Sequence, residues 1–225
     1  MERGTEQLII TKTFSEVINI RFLTDSTFVL RFQRNGIEFQ AGQYIVINPA
    51  GNKQKREYSI YSPIDAPYLE ILVKEVDNGF LSRKLKSLKP GDLLETEGPF
   101  GYFVLNEDKI SLRQHLFIAT GTGISPFHSI ILSNPNLNYT LLHGVRLGEE
   151  GYDKDIYTLE KYIQCTSKDK EGNFYGRVTD YLKTHPVDID TWVYLCGNSS
   201  MIDDAYTILE QQKVPSHHLH TEVYF

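Results

Sequence analysis

The residues best suited to chemistry form a glycine-rich turn, Gly121-Thr122-Gly123-Ile124-Ser125-Pro126, between a compact apolar segment and an expected helix. Glycines let backbone N–H groups approach a pyrophosphate closely, and the following helix points its positive end at the same anion. The spacing is not the full G-x-G-x-x-G fingerprint, so a plain strand-to-helix turn is the alternative interpretation. The placement of the turn favours a dinucleotide site.

A second candidate is the segment Arg56-Glu57-Tyr58-Ser59-Ile60-Tyr61-Ser62. It contains an arginine able to grip phosphate, a tyrosine able to stack on a flat ring and a serine able to donate to a ring nitrogen. Residues two apart in a strand share a face, so we expect Arg56 and Tyr58 to point the same way. Taken alone, the segment also fits an ordinary edge strand with an exposed basic residue.

These two segments lie in halves of different pattern. Residues 5 to about 105 show short β-prone runs separated by turn signals, and their regular spacing predicts a small antiparallel barrel of six strands. One helix, roughly Leu81–Leu88, interrupts the barrel before Pro90. The expected strands are Val17–Phe22, Thr27–Phe32, Tyr44–Asn48, Tyr58–Tyr61, Leu69–Val76 and Leu93–Glu97.

In the second half, apolar strands alternate with helical stretches, which predicts a doubly wound parallel α/β domain. The polar segment around Leu105–Leu112 separates the halves, so the predicted domains are residues 1–110 and 111–225. The expected strands are Leu116–Thr120, Tyr139–Val145, Tyr162–Thr166 and Thr191–Cys196. The expected helices are Phe127–Leu132, Tyr152–Leu159, Val178–Thr184 and Ser200–Gln212.

Composition excludes several classes of protein. The chain has 225 residues, of which 40% are hydrophobic and 12% aromatic, as in globular rather than disordered or fibrous proteins. A net charge of −6 argues against nucleic acid as the main partner. We find no signal-like leader and no stretch long enough for a bilayer, and so expect a cytoplasmic protein without a membrane partner. Two cysteines without CxxC spacing leave an organic cofactor as the expected redox centre.

Five motifs occur in an order that resembles the ferredoxin–NADP⁺ reductase family. They are R-x-Y-S at Arg56–Ser59, G-x-x-S at Gly79–Ser82, G-P-F-G at Gly98–Gly101, G-T-G-I-S-P at Gly121–Pro126 and C-G-N at Cys196–Asn198. The ending His220–Phe225 is similar to the bacterial ferredoxin/flavodoxin–NADP⁺ reductases, which also finish in adjacent aromatic residues. Plant-type members end on the tyrosine, and Phe225 departs from them.

The resemblance implies a monomeric FAD enzyme that transfers hydride from NADPH to flavin and passes single electrons, reversibly, to ferredoxin or flavodoxin. The alternatives are an NAD(P)H-dependent reductase component of an oxygenase, a free-flavin reductase, or a binding module that has lost its chemistry.

For FAD, the resemblance places Arg56 on the pyrophosphate, Tyr58 against the isoalloxazine and Ser59 near flavin N5. Ser82 would bind phosphate, and its residue type also suits the N-cap position of the helix that follows. The terminal aromatic pair would cover the flavin ring or its adenine and move for nicotinamide, although chain ends are usually frayed. The implied FAD residues are Arg56, Glu57, Tyr58, Ser59, Leu72, Val73, Lys74 (the last three through their backbone), Phe80, Leu81, Ser82, Thr120, Tyr224 and Phe225.

For the nucleotide, the resemblance places Arg146, Lys168 and Arg177 near the 2′-phosphate, although each also fits a surface charge. Bacterial relatives commonly have arginine where this chain has Lys168, which softens the expected preference for NADPH over NADH. The implied NADP residues are Gly121, Thr122, Gly123, Pro126, Val145, Arg146, Ser167, Lys168, Arg177, Cys196, Gly197, Asn198 and Met201. The implied catalytic residues are Ser59, Cys196 and Glu222, with a small core residue as the alternative for Cys196.

Two charged clusters have plainer interpretations. The histidines at 217, 218 and 220 lack acidic or cysteine companions, so we expect a solvated loop and no metal site. Arg83, Lys84, Lys86 and Lys89 with Lys53 and Lys55 fit either a solvated face or a surface that steers an acidic electron carrier.

Overall fold

The computed structural model describes residues 11–52, 54–76, 79–105 and 113–224. The first sheet is antiparallel throughout and has the strand order β4-β3-β6-β1-β2-β5. Its strands are β1 (Thr11–Phe22), β2 (Thr27–Gln33), β3 (Tyr44–Pro49), β4 (Arg56–Ser59), β5 (Tyr68–Lys74) and β6 (Leu93–Phe100). A bridge between Ile60 and Ile71 joins the two edges, which nearly closes the expected six-stranded barrel.

Alternating side chains fill the barrel because successive strand residues face opposite sides. Phe28, Leu30 and Phe32 of β2 are fully buried in this core. Helix α1 (Phe80–Lys86) covers one end with the buried residues Leu81 and Leu85.

Helix α1 begins after Gly79, so Ser82 lies inside the helix and is not its N-cap. The Ser82 hydroxyl instead accepts a hydrogen bond from Val76 N at 3.1 Å. The prediction of a capping serine was therefore wrong, because the helix starts three residues earlier than an N-cap at Ser82 requires.

The second sheet is parallel, with the order β10-β9-β8-β7-β11-β12. Its strands are β7 (His115–Thr120), β8 (Tyr139–Val145), β9 (Tyr162–Thr166), β10 (Phe174–Tyr175), β11 (Trp192–Gly197) and β12 (Leu219–Val223). Its helices are α2 (Ser125–Ser133), α3 (Val178–Thr184) and α4 (Ser199–Gln211). Helix α2 packs on one face, and helices α3 and α4 pack on the other, so the sheet is doubly wound as expected.

No helix spans Tyr152–Leu159, contrary to the sequence prediction. Only a short 3-10 turn, Lys154–Ile156, forms there. Asp153 adopts a left-handed φ of 49°, which an α-helix cannot accommodate, and its carboxylate accepts two hydrogen bonds from Arg21 at 2.6 and 2.8 Å. Tyr152 and Tyr157 are buried, so tertiary contacts override the local preference.

The barrel and the parallel sheet share one apolar core. Tyr61 of the barrel stacks on His128 of α2, with ring centroids 3.7 Å apart, and its hydroxyl donates to Asp153 at 3.0 Å. Ser129 of α2 donates to the Ser62 carbonyl at 2.7 Å. These contacts set the relative position of the two sheets.

None of the helices in the described ranges has both the length and the apolar character needed to cross a bilayer. The predicted boundary segment falls largely within residues 106–112, outside the described residues.

Candidate functional site

A cleft of about 910 Å³ lies where strand β4, strand β5, helix α1, the glycine turn and the end of the chain meet. Ten of the residues expected to hold FAD line it: Arg56, Glu57, Tyr58, Ser59, Leu72, Lys74, Phe80, Leu81, Ser82 and Tyr224. The remaining lining residues are Tyr44, Gln54, Lys55, Glu75, Val76, Gly79, Thr122, Ser125, Glu222 and Val223. Thr122 and Ser125 belong to the turn expected to bind the nucleotide, so both predicted sites open into one cleft.

Strand β4 is an edge of the barrel sheet, and all four of its residues line the cleft. Arg56 is exposed, and its Nη1 donates to the Lys55 carbonyl at 2.9 Å. Burial raises the pKa of Tyr58 to about 12, so its ring stays neutral beside the arginine. Ser59 is buried at the inner end of the strand. The strand thus runs from an exposed cation to a buried hydroxyl.

Strand β5 forms the opposite wall. The side chain of Val73 is 1% exposed and packs in the barrel core, whereas its neighbours Leu72 and Lys74 line the cleft. Lys74 lies on the opposite face of the strand from Val73 and forms an ion pair with Glu150 at 2.7 Å. Sequence reasoning missed Tyr44 and Glu75 as lining residues, since nothing in their local spacing marks them.

The glycine turn folds as a 3-10 helix, Gly121–Ile124, that leads directly into α2. Gly121 adopts a φ of 53°, and a Cβ on Gly123 would lie 2.4 Å from the Cys196 carbonyl oxygen. A side chain at position 123 would therefore separate the ends of β7 and β11. Pro126 lies in the first turn of α2, where a missing N–H costs nothing.

His143 of β8, which sequence reasoning missed, holds this turn. Its ring is fully buried and contacts the Gly121 carbonyl through Nε2 and the Tyr162 hydroxyl through Nδ1, both at 2.9 Å. A carbonyl can only accept, so Nε2 carries the proton and Nδ1 accepts from Tyr162. Burial lowers the pKa of His143 to about 4, which keeps the ring neutral.

The ends of β7 and β11 meet beside the turn. A Cβ on Gly197 would lie 2.1 Å from Thr120 Oγ1, so only glycine permits this approach. Asn198 donates from Nδ2 to the same oxygen at 3.1 Å and caps α4 by accepting from Met201 N at 2.9 Å. The Met201 side chain is buried in the apolar core under α3 and α4. The structure therefore brings Thr120, Cys196, Gly197 and Asn198 together, with the Met201 side chain turned away.

Of the three residues expected to be catalytic, Ser59 and Glu222 line the cleft, and Cys196 is buried behind Tyr224 and Glu222. Tyr224 donates from its hydroxyl to Ser59 Oγ at 2.6 Å, and both the Tyr224 ring and Glu222 lie close enough to Cys196 to affect the pKa of its thiol. Burial raises that pKa well above its usual value, so Cys196 stays a neutral thiol. Phe225 lies outside the described residues.

Glu222 has an unusual environment. Burial, together with the nearby Glu57 carboxylate, raises its pKa to about 7. Its Oε2 is buried without a hydrogen-bond partner among the described residues. An unsatisfied buried oxygen in a cleft is expected where a bound molecule supplies the missing donor.

The expected 2′-phosphate residues lie at neighbouring strand ends. Arg146 follows β8, Lys168 follows β9, and Arg177 follows β10, because parallel strands end at the same edge. The Lys168 N–H donates to the Arg146 carbonyl at 2.9 Å, and Ser167 N donates to the Val145 carbonyl at 3.2 Å. All three cationic side chains are exposed, which leaves them available to an anion.

The C-terminal histidines are less solvated than expected. His218 stacks on Trp192 with centroids 5.0 Å apart, and His220 stacks on Tyr194 at 4.5 Å. Both are partly buried. Aromatic packing therefore accounts for these two rings.

The cleft residues fit a flavin dinucleotide. The walls of the cleft carry an exposed arginine, Arg56, the aromatic rings of Tyr58 and Tyr224, and the largely buried hydroxyl of Ser59 and carboxyl of Glu222. The glycine turn offers a second anion-binding backbone at the same cleft.

Comparison with known proteins supports this assignment of cofactors. Residues 15–105 match the Oxidoreductase FAD-binding domain family, and residues 117–207 match the Oxidoreductase NAD-binding domain family. The chain is therefore an oxidoreductase that uses FAD and a nicotinamide dinucleotide.

The names of two relatives describe a reductase and an electron transfer component. The flavodoxin/ferredoxin–NADP reductase of Buchnera aphidicola subsp. Schizaphis graminum is 32% identical over 88% of this chain and 90% of its own length. The toluate 1,2-dioxygenase electron transfer component of Pseudomonas putida is 28% identical over 88% of this chain and 63% of its own length.

A ferredoxin NADP⁺ reductase structure from Neisseria gonorrhoeae shares the fold, with a TM-score of 0.84 and 20% identity, covering 95% of this chain and 99% of that chain. On its motifs, its fold and its relatives, the chain belongs to the ferredoxin/flavodoxin–NADP⁺ reductase family.

Proposed function

We propose that this protein oxidises NADPH and delivers the electrons singly and reversibly to a ferredoxin or flavodoxin, acting as a monomer. Residues 1–110 hold FAD, and residues 111–225 hold the nucleotide. The observation that carries the proposal is the shared cleft: Thr122 and Ser125 of the nucleotide turn line the same space as Arg56–Ser59 of the barrel. Cofactors bound to these two walls would therefore be close to each other.

The residues of this chain bind and orient the cofactors. Arg56 and the start of α1 hold the FAD phosphates, and Tyr58 and Tyr224 hold its ring. Bound FAD supplies the hydride acceptor and the means to release electrons one at a time. Ser59 and Glu222 present a hydroxyl and a carboxyl to the cleft, and Cys196, whose thiol stays neutral, would lie near the bound nicotinamide.

The preference for NADPH rests on charge. Arg146, Lys168 and Arg177 present three exposed cations at adjacent strand ends, which suits a 2′-phosphate. No hydrogen bond or ion pair ties down the side chain of Lys168 among the contacts of the described residues, so it is free to meet an anion.

Docking of an acidic carrier uses the cations near the cleft. Nearby carboxylates compensate part of this positive charge. Lys86 pairs with Glu75 at 2.6 Å, and Arg83 lies 3.6 Å from the same carboxylate. Lys55 pairs with Glu95 and Glu97. Lys84 and Lys89 are exposed. Lys53 lies outside the described residues. The remaining positive charge is local and moderate.

The dioxygenase relative favours a second candidate, a reductase component that serves an oxygenase. The same fold and cofactors serve both roles, and only the acceptor differs. A free-flavin reductase is the third use of the same chemistry.

Anaerobic titration of the FAD-loaded protein with NADPH, and separately with NADH, tests the cofactor assignment. We expect the flavin band to bleach at far lower NADPH than NADH concentration. Stopped-flow mixing of the reduced protein with flavodoxin, ferredoxin or free FMN then identifies the acceptor. Equal response to both nucleotides would reject the NADPH preference, and rapid reduction of free FMN alone would reject the protein carrier.

A further inference from the structure

Glu150 connects the two cofactor walls. It closes the short 3-10 turn Gly148–Glu150 that follows β8, and its side chain is mostly buried. One carboxylate oxygen, Oε1, pairs with Lys74 Nζ at 2.7 Å. The other, Oε2, accepts from the backbone N–H groups of Arg146 and Leu147 at 2.9 and 3.2 Å. A single side chain thus binds the flavin wall and the loop that carries Arg146.

The partners of Glu150 lie on different sheets. Lys74 ends β5 of the barrel and lines the cleft. Arg146 follows β8 of the parallel sheet and does not line the cleft. Burial opposes ionisation of Glu150, but Lys74 and the two N–H groups outweigh it and lower the pKa of the carboxyl. Glu150 is therefore charged at neutral pH and makes three charge-assisted contacts.

We propose that Glu150 is a positioning residue whose pair with Lys74 sets the distance between the flavin cleft and the loop that holds the adenosine end of the nucleotide. This inference rests on the proposed function, because it assigns Arg146 to the nucleotide. A dinucleotide engages both ends at once, and its affinity depends on how well the spacing of the two subsites matches its length. If that spacing becomes less well defined, the affinity for the whole dinucleotide falls. The affinity for a ligand that occupies only one subsite stays the same.

Breaking the Lys74–Glu150 pair should affect binding of the whole dinucleotide and not binding of its adenosine end, which a purely local role would not produce. Lys74→Met removes the Lys74–Glu150 pair, leaves the other contacts between the two sheets in place, and keeps the hydrogen bonds of Glu150 to the loop. The loop itself, and its affinity for a ligand that occupies only the adenosine end, then stay as in the wild type. Glu150→Gln keeps an oxygen for the backbone N–H groups and loses the charge that attracts Lys74. The two substitutions break the same link from opposite ends.

The experiment measures two dissociation constants on FAD-loaded protein. Calorimetry gives the Kd of 2′-phospho-AMP, which reports the adenosine end alone, and the change in flavin absorption gives the Kd of NADP⁺. For Lys74→Met and for Glu150→Gln we expect the NADP⁺ Kd to rise about fivefold, as for loss of a partly buried ion pair, and the 2′-phospho-AMP Kd to stay within about twofold. The double variant should be no worse than either single variant.

Lys12→Met is the control, because Lys12 forms a 2.7 Å pair with Glu95 on the outer surface of the barrel sheet and does not line the cleft. It should change neither constant. Lys74 lines the cleft, so the flavin content of each variant is measured to show whether Lys74→Met also weakens FAD binding. If it does, the Glu150→Gln variant tests the inference, because Glu150 does not line the cleft.

Unchanged NADP⁺ affinity in Glu150→Gln, or additive losses in the double variant, would overturn the inference. A wild type that binds AMP but not 2′-phospho-AMP would instead contradict the proposed NADPH preference. The same comparison made with AMP and NAD⁺ would then decide the role of the pair.

Discussion

Tyr224 donates a hydrogen bond from its hydroxyl to Oγ of Ser59 at 2.6 Å, across 165 residues of sequence. Its backbone N–H also donates to the Gly197 carbonyl at 2.8 Å, which extends the end of β12 beside β11. The ring therefore bridges the barrel and the parallel sheet at the wall of the cleft. With the cofactors bound as proposed, a nicotinamide that reaches the flavin would have to displace this ring.

Replacing this ring should increase nucleotide affinity. In Tyr224→Ser no ring needs to be displaced, so the apparent Kd of NADP⁺ should fall about tenfold, because a larger fraction of the protein is competent to bind. Tyr224→Phe keeps the ring and loses only the hydrogen bond to Ser59, worth about 1 kcal/mol, so it should lie in between. Flavin difference spectra measure both. Weaker binding by Tyr224→Ser would mean that the tyrosine contacts the nucleotide rather than obstructing it.

Lys168 should set the strength of the preference for NADPH. An arginine offers a planar fork to a phosphate, so Lys168→Arg should raise the ratio of kcat/KM for NADPH to that for NADH, and Lys168→Ala should lower it, each by up to about tenfold. Lys170→Ala is the neighbouring control and should leave the ratio unchanged. If the ratio of kcat/KM values is the same in all three variants as in the wild type, Lys168 does not contact the 2′-phosphate.

His143 should act on the glycine turn through hydrogen bonding. His143→Leu leaves the Gly121 carbonyl and the Tyr162 hydroxyl without partners, which costs about 1–3 kcal/mol. We expect the KM for NADPH to rise about tenfold with an unchanged flavin spectrum. His143→Gln places an N–H near the original Nε2 and should recover much of the loss. Equal damage in both variants would show that ring packing, not the hydrogen bond, matters.

Glu222 should make the stability of the flavin-free protein fall as pH rises. Its pKa is about 7 in the folded chain and near 4.5 when unfolded. Between these values the unfolded chain releases a proton that the folded chain keeps, so the free energy of unfolding decreases with pH, by about 3 kcal/mol in total. Glu222→Gln should remove this component.

Urea unfolding at pH 5, 6, 7 and 8 measures the difference between wild type and Glu222→Gln. The free energies of unfolding should diverge as the pH rises and become parallel above about pH 8. A constant difference across this range would mean that Glu222 titrates normally in the folded chain.

Much of the fold follows from local pattern. Runs rich in β-branched and aromatic residues, such as Thr27–Phe32, predict barrel strands, and in this strand both faces are almost entirely buried. Compact apolar runs such as Leu116–Thr120 followed by helices mark a parallel sheet. The glycines at 121 and 123 identify the turn because few other residues permit that backbone at that distance from a neighbouring strand.

Other features depend on contacts between distant parts of the chain. The helix expected at Tyr152–Leu159 does not form, because Arg21 and Tyr61 of the barrel hold Asp153 in a left-handed conformation. His143 looks like any apolar-strand residue in the sequence, and only the order of β7, β8 and β9 places it between Gly121 and Tyr162.

Most strands, the glycine turn and the residue types that suit a flavin and a dinucleotide could be predicted from the sequence, because they depend on neighbours along the chain. The two-residue strand Phe174–Tyr175 could not. Which distant side chains contact each other, such as Ser59 with Tyr224 and Lys74 with Glu150, became evident in the folded chain. Strand order and closure of the barrel, and not sequence spacing, set these distances.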